Sequence, residues 1–305
     1  MGGLEKRAMS FKSGFIAIIG RPNVGKSTLM NRLLGQKLSI ISPKPQTTWS
    51  RILGIKTTQE AQLIFLDTPG IHRGEAFFNR EMVKTALKAA VEADLILWMI
   101  DATEPFTEDD KWILEFLKKT KTPIILAINK ADLVDKKSLL PLIAEFHRLL
   151  PFLEIVPISA TEGENVERLE GLLVKYIPQG PPLFPEDQLT DQPERFIISE
   201  LIREKVFELC HQEIPYSTFV EVERVREREG EGLVDVLATV FVEKDSQKGI
   251  VIGLGGSRLK KIGELARREI ERLLGKKVYL GLWVKVRRGW KKDEAALRRL
   301  GYMQR

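Results

Sequence analysis

The sequence contains few of the residues that build disulfides and metal sites. Cys210 is the only cysteine among 305 residues, so no disulfide can form within the chain. The three histidines, His72, His147 and His211, are scattered, and none has the spacing to a second histidine or cysteine that metal ligation requires. A disulfide scaffold is therefore excluded, and a histidine metal site is not expected.

Long apolar runs are also missing. The longest, "LILWMI" at 95–100, has the length of a strand, whereas a membrane span needs roughly 20 apolar residues. The first 14 residues lack the continuous apolar core of a secretory signal. Together with the single cysteine, these features predict a cytoplasmic protein without a transmembrane helix.

The net charge of +6 is unevenly distributed. Residues 1–192 carry 24 basic and 24 acidic side chains, whereas residues 193–305 carry 24 and 18. Within the second part, residues 253–305 contain 16 basic and only 5 acidic side chains. Such a patch attracts a polyanion, either nucleic acid or an anionic membrane surface, although a merely solvated face would have the same composition.

The first half of the chain alternates apolar runs with amphipathic segments. Five runs are too apolar for strands with one wet face: "FIAIIG", "QLIFLD", "DLILWMID", "TPIILAINK" and "EIVPISA". Helical segments separate them, and one opens with the capping signal Thr107-x-x-Asp110. The alternation predicts an α/β domain over residues 1–180, with a mixed, mostly parallel sheet and helices on both faces.

The second half has a different pattern. Residues 181–193 contain prolines and no helical period, which predicts a linker. In residues 194–305, an amphipathic helix precedes two alternating runs that indicate an antiparallel hairpin. A strand end, a glycine-rich turn, a basic helix and a final strand follow. The predicted order is α-β-β-α-β, an α+β domain.

The stretch "GRPNVGKS" at 20–27 fits the pattern G-x-x-x-x-G-K-[ST]. It follows a predicted strand and precedes a predicted helix, as phosphate binding requires, which disfavours a glycine turn without a ligand. Glycines such as Gly25 let backbone N–H groups face the phosphates, Lys26 would reach the outer phosphates, and Ser27 would ligate Mg²⁺. Asn23 and Thr28 complete the predicted phosphate-binding residues.

The stretch "NKAD", Asn129 to Asp132, indicates which base is bound. The Asp132 carboxylate can accept two hydrogen bonds from the N1–H and 2-amino edge of guanine, whereas adenine would leave it unpaired. Asn129 and the aliphatic stem of Lys130 would hold the base and its loop. Ser159 and Ala160 could present a backbone N–H to guanine O6.

The stretch "DTPGIHRGE" begins with Asp67, directly after a predicted strand. A carboxylate followed at the third place by a glycine, here Gly70, is how several nucleotide hydrolases hold magnesium and sense a terminal phosphate. Ras-type GTPases carry next a glutamine that orients the attacking water. Ile71 has no group that could do so.

Four stretches together, "GRPNVGKSTLMNRLLG", "PQTT", "DTPGIH" and "NKAD", resemble the Era family of GTPases, and the likeness extends over nearly the whole chain. It implies that Thr48 completes the Mg²⁺ shell when GTP is bound, with Thr47 the less favoured choice. It also implies that Asp67 holds magnesium through water and that Gly70 bonds the γ-phosphate. With Lys26, these residues form the expected catalytic set.

The resemblance also implies an answer for residue 71. This place is typically hydrophobic in the family, so water is activated by other means and GTP hydrolysis to GDP and phosphate should be slow. Related GTPases with an asparagine in the phosphate loop use K⁺, and Asn23 occupies that place. We therefore expect a timed switch that binds GTP or GDP with Mg²⁺, with K⁺ as a further candidate cofactor.

In the basic half, Gly253-x-x-Gly256 resembles the loop of a type II KH domain, which clamps about four nucleotides. The predicted RNA contacts are the two glycines and the following residues Ser257, Arg258, Lys260 and Lys261. A basic surface helix with a glycine turn is the plain alternative. Trp283 and Trp290 could stack on bases, although we expect Trp283 to lie in the core.

The resemblance implies the partners as well. They are single-stranded RNA at the 3′ end of 16S ribosomal RNA and the 30S subunit, whose assembly and maturation the protein would assist as a monomer. Two alternatives stay open. The chain could be a constitutive RNA-binding module, or a switch at the inner face of the cell membrane, where Era-type proteins have been found peripherally.

Overall fold

The computed structural model describes residues 11–42, 44, 47–49, 51–71, 77–104, 106–230, 232–293, 297–298 and 302. His72, the first two residues of "PQTT" and the first ten residues of the chain lie outside these ranges.

The described chain divides into two compact units. The first combines the chain up to Ser39 with Thr48–Asp191, and the second combines Ile40–Thr47 with the chain from Gln192 onward. Most of the predicted linker, 181–193, thus belongs to the first unit. The sequence contains no signal for the placement of Ile40–Thr47.

The first unit contains a six-stranded sheet with helices. Its elements are β1 (Lys12–Ile19), α1 (Lys26–Leu34), β2 (Ile52–Thr57), β3 (Ala61–Asp67), α2 (Phe77–Glu92), β4 (Leu95–Asp101), α3 (Glu108–Leu117), β5 (Ile124–Asn129), α4 (Lys136–Leu149), β6 (Glu154–Pro157) and α5 (Val166–Tyr176). The strand order is β2-β3-β1-β4-β5-β6, and only the β2–β3 pair is antiparallel. The predicted mixed, mostly parallel sheet is confirmed, although β2 was not among the predicted runs.

The predicted apolar strands lie in the core of this unit. Strands β3, β4 and β5 are buried along their whole length, as expected for a sheet covered on both faces. Trp98 of β4 is fully buried and packs edge-on against Phe146 of α4, with the ring centroids 5.7 Å apart. The carboxyl ends of β1, β3 and β5 carry the three predicted nucleotide motifs to one edge of the sheet.

The segment predicted as a linker is bound to the first unit, and one amide side chain makes three of the hydrogen bonds. Gln62 Oε1 accepts hydrogen bonds from the N–H groups of Leu183 (2.7 Å) and Phe184 (2.9 Å). Its Nε2 donates to the carbonyl oxygen of Phe184 at 2.8 Å. Proline and glycine content therefore marked a segment without helix or strand, but not a detached one.

The second unit is an α+β domain. Its elements are α6 (Glu194–Leu209), β7 (Phe219–Arg228), β8 (Leu233–Val242), α7 (Asp245–Ile252), α8 (Ser257–Leu274) and β9 (Lys277–Val286). The sheet order is β7-β8-β9, with β8 antiparallel to β7 and parallel to β9. No helix within the described ranges is long and apolar enough to cross a membrane.

The order of elements differs from the prediction in one place, because residues 245–252 form helix α7 rather than the end of a strand. The side chain of Gln247 accepts hydrogen bonds from the N–H groups of Glu243 (3.0 Å) and Lys244 (3.1 Å), which caps the helix start. Val251 is fully buried in the core. The β-branched run "IVI" favoured a strand, but capping and burial outweigh that preference, and the observed order is α-β-β-α-α-β.

Candidate nucleotide and nucleic-acid sites

The phosphate loop joins β1 to α1 and is fixed by close backbone contacts. A Cβ atom at Gly25, whose φ is +99°, would lie 2.2 Å from Nδ2 of Asn129. A Cβ at Gly20 would lie 2.4 Å from the carbonyl oxygen of Met99. Both positions therefore require glycine.

Lys26 lies at the start of α1, with its ammonium group directed into the loop. Its Nζ donates to the carbonyl oxygens of Gly20 (3.1 Å) and Arg21 (2.9 Å). Burial lowers the pKa of Lys26 to about 8, although the nearby Asp67 carboxylate opposes this shift. A buried cation beside a helix N-terminus can interact strongly with phosphate oxygens.

Three predicted oxygen ligands meet at the end of β3. Ser27 Oγ donates to Asp67 Oδ2 at 2.8 Å and lies 3.2 Å from Thr48 Oγ1. Asp67 Oδ1 is buried and has no hydrogen-bond partner among the described residues. Burial raises the pKa of Asp67, while the positive charge of Lys26 opposes the shift. An orphaned carboxylate oxygen beside two hydroxyls is a donor set that suits a hard cation such as Mg²⁺.

The structure distinguishes the two threonines of "PQTT". Thr48 contributes its hydroxyl to the oxygen cluster of the first unit. Thr47 belongs to the second unit, where its carbonyl oxygen accepts a hydrogen bond from Arg203. This placement favours Thr48 as the metal ligand.

Gly70 and Ile71 follow Asp67 in the chain and pack against the phosphate loop. A Cβ at Gly70 would lie 2.7 Å from Cγ and 2.8 Å from the backbone of Pro22. The N–H of Ile71 donates to the carbonyl oxygen of Gly20 at 3.1 Å, and its side chain is fully buried in the core. Ile71 is thus a packing residue, and its side chain cannot position water.

Asn129, at the end of β5, connects two loops. Its Nδ2 donates to the carbonyl oxygen of Val24 in the phosphate loop (2.7 Å), and its Oδ1 accepts from the N–H of Ala160 (2.9 Å). Because one amide bonds both loops, Asn129 can hold the base-binding edge and the phosphate-binding edge in register.

The next two predicted base contacts have different surroundings. Lys130 has a left-handed φ of +62°, and its Nζ pairs with Asp101 Oδ2 at 2.5 Å. Burial tends to raise the pKa of Asp101, but hydrogen bonds from Lys130 and Thr103 lower it on balance. Asp132 lies in a short turn and is exposed, so its carboxylate is accessible to a base.

The predicted donors to guanine O6 are both engaged within the chain. The Ala160 N–H donates to Asn129, and the Ser159 N–H donates to the carbonyl oxygen of Glu164 at 3.0 Å. A contact from either group to O6 would have to be shared with these acceptors.

Sequence reasoning missed Arg32, which lies in α1 behind the phosphate loop. Its Nε donates to the carbonyl oxygen of Ala160 at 2.6 Å, and its Nη2 donates to that of Thr161. Arg32 thereby supports the loop that closes the base site. Its position in an ordinary amphipathic helix provides no signal for this role.

Arg21 is a second residue that the sequence did not single out. Its Nε contacts Asp110 Oδ2 at 3.2 Å, and its Nη1 contacts Glu104 Oε2 at 3.0 Å. Asp110 is fully buried and forms the predicted capping box with Thr107. The capping signal was therefore correct, but its carboxylate also holds the phosphate loop against α3.

The GxxG loop connects α7 to α8 through a short turn at 254–256. Gly253, Gly255 and Gly256 have φ values of +74°, +58° and +81°, and Leu254 at the tip is 96% exposed. A Cβ at Gly253 would lie 2.9 Å from the backbone nitrogen of Arg258, whereas one at Gly256 would meet nothing within 4 Å. Only the first glycine is therefore required by packing inside the protein.

A groove of about 520 Å³ lies beside this loop, between α8 and β9. It is lined by Gly256, Leu259, Lys260, Gly263, Glu264, Arg267, Leu280 and Leu282. Lys260 is thus the predicted cation that reaches the groove.

The other predicted contacts are placed differently around the loop. Lys261 pairs with Glu264 at 3.3 Å, and Arg258 donates to the carbonyl oxygen of Ile250. Ser257 is exposed at the first position of α8.

The two C-terminal tryptophans contradict the prediction. Trp290 is fully buried, and its Nε1 donates to the carbonyl oxygen of Ser217 at 3.3 Å. Its ring packs against Phe219 at 4.7 Å. Trp283 is 48% exposed on β9, so the expectation that it lies in the core was wrong. Strand alternation explains this exposure, because Leu282 and Val284 face the core.

Comparison with known proteins supports the assignment of a nucleotide-binding unit and a KH-type unit. Residues 15–130 match the family described as 50S ribosome-binding GTPase, and residues 213–291 match the KH domain family. The chain is 53% identical over 292 residues to GTPase Era of Geobacter metallireducens, which covers 96% of this chain and 98% of that protein.

Two solved structures have the same fold along the chain. One is Era in complex with MgGDPNP and nucleotides 1506–1542 of 16S ribosomal RNA, with a TM-score of 0.91 and 45% identity. The other is a variant of Aquifex aeolicus Era bound to GDP·AlF4⁻, with a TM-score of 0.91 and 44% identity. Each alignment covers 96% of this chain and 99% of the other. With the phosphate loop, the guanine motif and the GxxG groove on one chain, this similarity establishes that the protein belongs to the Era family of GTPases.

Proposed function

We propose that the chain is a GTP-hydrolysing switch that binds single-stranded RNA and assists assembly of the small ribosomal subunit. The observation that carries the proposal is the presence of both sites on one chain. A guanine-type nucleotide site with a buried lysine and an oxygen cluster lies in the first unit, and a GxxG groove lies in the second.

The nucleotide site supports a division of roles. Lys26 and the loop N–H groups would neutralise the phosphates, Gly70 would bond the γ-phosphate, and Asp132 would select guanine. Ser27, Thr48 and Asp67, the last through water, would hold Mg²⁺. When bound, the ion would stabilise negative charge on the phosphate oxygens.

The attacking water needs an activator other than residue 71, since Ile71 is buried. The candidate activator is K⁺ held by Asn23. In support, Asn23 is exposed and has a left-handed backbone conformation. A cation there would take the place of an arginine finger.

The GxxG groove would clamp the RNA. Small residues let phosphates approach the backbone, and Lys260 adds charge. Because a relative was solved with nucleotides 1506–1542 of 16S ribosomal RNA, we infer that the 3′ end of this RNA, within the 30S subunit, is the target.

Chain continuity supports coupling between nucleotide and RNA. Thr47 and Ile41 bond helix α6 of the second unit, through Arg203 and Glu204 respectively. The next residue, Thr48, contacts the oxygen cluster of the first unit. A ligand that shifts Thr48 would therefore also shift the preceding residues, which are hydrogen-bonded to helix α6.

The test is a gel-shift series with a 16S 3′-end RNA, using GDP and a non-hydrolysable GTP analogue. Wild-type RNA affinity should differ between the two nucleotides by roughly 5- to 150-fold. Gly256→Asp should abolish RNA binding and leave GTP binding intact, because its carboxylate would face a phosphate. Gly275→Asp is the matched control, since Gly275 also has positive φ (+63°) and open surroundings but lies at the far end of α8.

Each alternative has its own outcome in this series. Equal RNA affinity in both nucleotide states would favour a constitutive RNA-binding module. Full RNA binding by Gly256→Asp would refute the proposal that the GxxG loop clamps RNA. Co-sedimentation with anionic vesicles that persists under excess RNA would favour peripheral membrane attachment at the inner face of the cell membrane.

A further inference from the structure

Helices α6, α7 and α8 pack on one face of the three-stranded sheet, and Trp290 packs against Phe219 at one end of the other face. Side chains of β9 alternate, and Val278, Leu280, Leu282 and Val284 point to the helical core. Tyr279 and Trp283 therefore point to the opposite side, where they are 54% and 48% exposed. We call this side, which bears Tyr279 and Trp283, the outer face.

The indole of Trp283 lies along its own strand. A Cβ atom at Gly281 would be 3.1 Å from Cη2 and 3.3 Å from Cζ3 of this ring. The same Cβ would be 3.0 Å from Leu237 of the neighbouring strand. Glycine at 281 thus leaves room for the Trp283 ring above it. About half of the surface of Trp283 is open to solvent.

Two arginines of β7 lie in the same cross-strand rows as these rings. Arg224 pairs with Leu237, which pairs with Gly281 beneath the indole. One step along, Arg226 lies in the row of Asp235 and Tyr279. Neither arginine forms an ion pair within the part of the chain that the structure describes.

The remaining charges of the outer face are partly compensated. Arg228 pairs with Asp235 at 2.8 Å and lies 6.0 Å from the Tyr279 ring centroid. Lys285 approaches Glu223 at 3.8 Å. Arg224 and Arg226, which have no direct ion pair among the described residues, therefore stand beside two exposed rings. The pKa of the nearby Asp235 is lowered by its hydrogen bond from Arg228 and also by the charges of Arg224 and Arg226.

We propose that the outer face is a second RNA-binding surface, on which unpaired bases stack on Trp283 and Tyr279 while Arg224 and Arg226 contact phosphates. The inference rests on the proposed RNA binding in the GxxG groove, because it assigns the continuation of the same RNA strand.

Strand β9 connects the two surfaces. Leu280 and Leu282 line the groove, whereas Trp283 and Tyr279 lie on the reverse of the same strand. Among the described strands β9 is at the edge of its sheet, so an RNA leaving the groove has only one strand to pass. A KH loop holds about four nucleotides, and the outer face would engage the nucleotides beyond them.

The chemistry favours single-stranded RNA over other occupants. Exposed rings offer a stacking surface to any base, and the positive charges of Arg224 and Arg226 complement phosphate charge. Helical nucleic acid would keep its bases stacked on one another and so could not use the rings. If Trp283 only covered Gly281 on an edge strand, its role would not explain the arginines beside it.

The experiment compares two RNA lengths by fluorescence anisotropy. The long probe is the fragment 1506–1542 of 16S ribosomal RNA, and the short probe is its tightest-binding five-nucleotide piece. Trp283→Leu, which keeps an apolar cover over Gly281, should weaken binding of the long probe about 5- to 150-fold. It should leave the short probe, GTP hydrolysis and the melting temperature unchanged, and Trp283→Phe should retain most of the affinity.

Two further measurements separate stacking from stability. The long probe should quench tryptophan fluorescence in wild type, and Trp283→Phe should remove that quenching. Arg224→Gln should reduce the slope of log K against log [salt] by about 0.7 for the long probe only. Arg148→Gln, at an exposed arginine of the first unit, is the matched control and should have no effect.

The outcomes are distinguishable. If wild type binds neither probe, the proposed RNA function fails and the second surface fails with it. If wild type binds both probes and Trp283→Leu matches it on the long one, the outer face is no RNA surface. Equal losses on both probes, or loss accompanied by a lower melting temperature, would assign Trp283 a structural role instead.

Discussion

Replacement of Arg203 by methionine should loosen helix α6 and release the segment Ile40–Thr47. The Arg203 guanidinium is fully buried and donates to both carboxylate oxygens of Glu200, at 2.8 Å and 2.6 Å. It also donates to the carbonyl oxygen of Thr47. Glu200 accepts a further hydrogen bond from Tyr302 at 3.1 Å. Burial and the charge of Glu200 raise the pKa of Tyr302 well above its ordinary value, which keeps this phenol a donor.

The expected magnitude follows from this burial. Arg203→Met leaves Glu200 as a buried carboxylate without its cation, which costs about 3–5 kcal/mol. The double change Glu200→Gln with Arg203→Met removes both charges and should recover at least half of that loss. Arg195→Met, at an exposed arginine on the first turn of α6, is the matched control and should stay within about 0.5 kcal/mol.

Hydrogen exchange measured by mass spectrometry can test this prediction on the full chain. Peptides from Glu194–Leu209 should exchange roughly 150- to 5000-fold faster in Arg203→Met, since 1.36 kcal/mol is a factor of ten. Peptides that contain Thr47 should also lose protection, while those of β4 should not change. Wild-type protection in Arg203→Met, or equal losses in the single and double variants, would refute the argument that an uncompensated charge is responsible.

Three predictions concern the nucleotide site. Asp132→Asn should shift preference from guanine to xanthine nucleotides, because an amide can pair with the 2-oxo edge; unchanged GTP preference in competition assays would contradict the base assignment. Replacing K⁺ by Na⁺ should lower GTP hydrolysis, and Asn23→Ala should abolish this difference; equal rates in both salts would remove the potassium site but leave the GTPase intact. GTP binding should weaken as the pH rises above 8, by up to about tenfold per pH unit. The reason is that the pKa of Lys26 is about 8, and bound phosphates favour its charged form, so that binding takes up a proton. Calorimetry in buffers of different ionisation enthalpy measures that uptake, and a binding enthalpy independent of the buffer would contradict it.

Local signals in the sequence determined much of this protein. Three patterns combine residue type with strand or helix context: the phosphate loop, the guanine motif and the strand that ends at Asp67. Such local patterns can be recognised whatever the fold of the rest of the chain. The capping signal at Thr107 is equally local, since its bonds span three residues. Apolar runs identified the strands of the first sheet because a strand buried on both faces leaves no polar positions.

Only the tertiary structure decided the features that depend on distant neighbours. The run "IVI" before the GxxG loop fits a strand as well as a short helix, and the packing of Val251 in the core made it part of helix α7. Trp283 and Trp290 are seven residues apart in one basic stretch, yet one lies on an open sheet face and the other in the core. Arg203 has its counter-charge, Glu200, three residues away on the same helix, but it meets its partner Thr47 only because chain segments 156 residues apart come together. Burial is a property of such long-range contacts, and no local pattern encodes which segment will cover a given side chain.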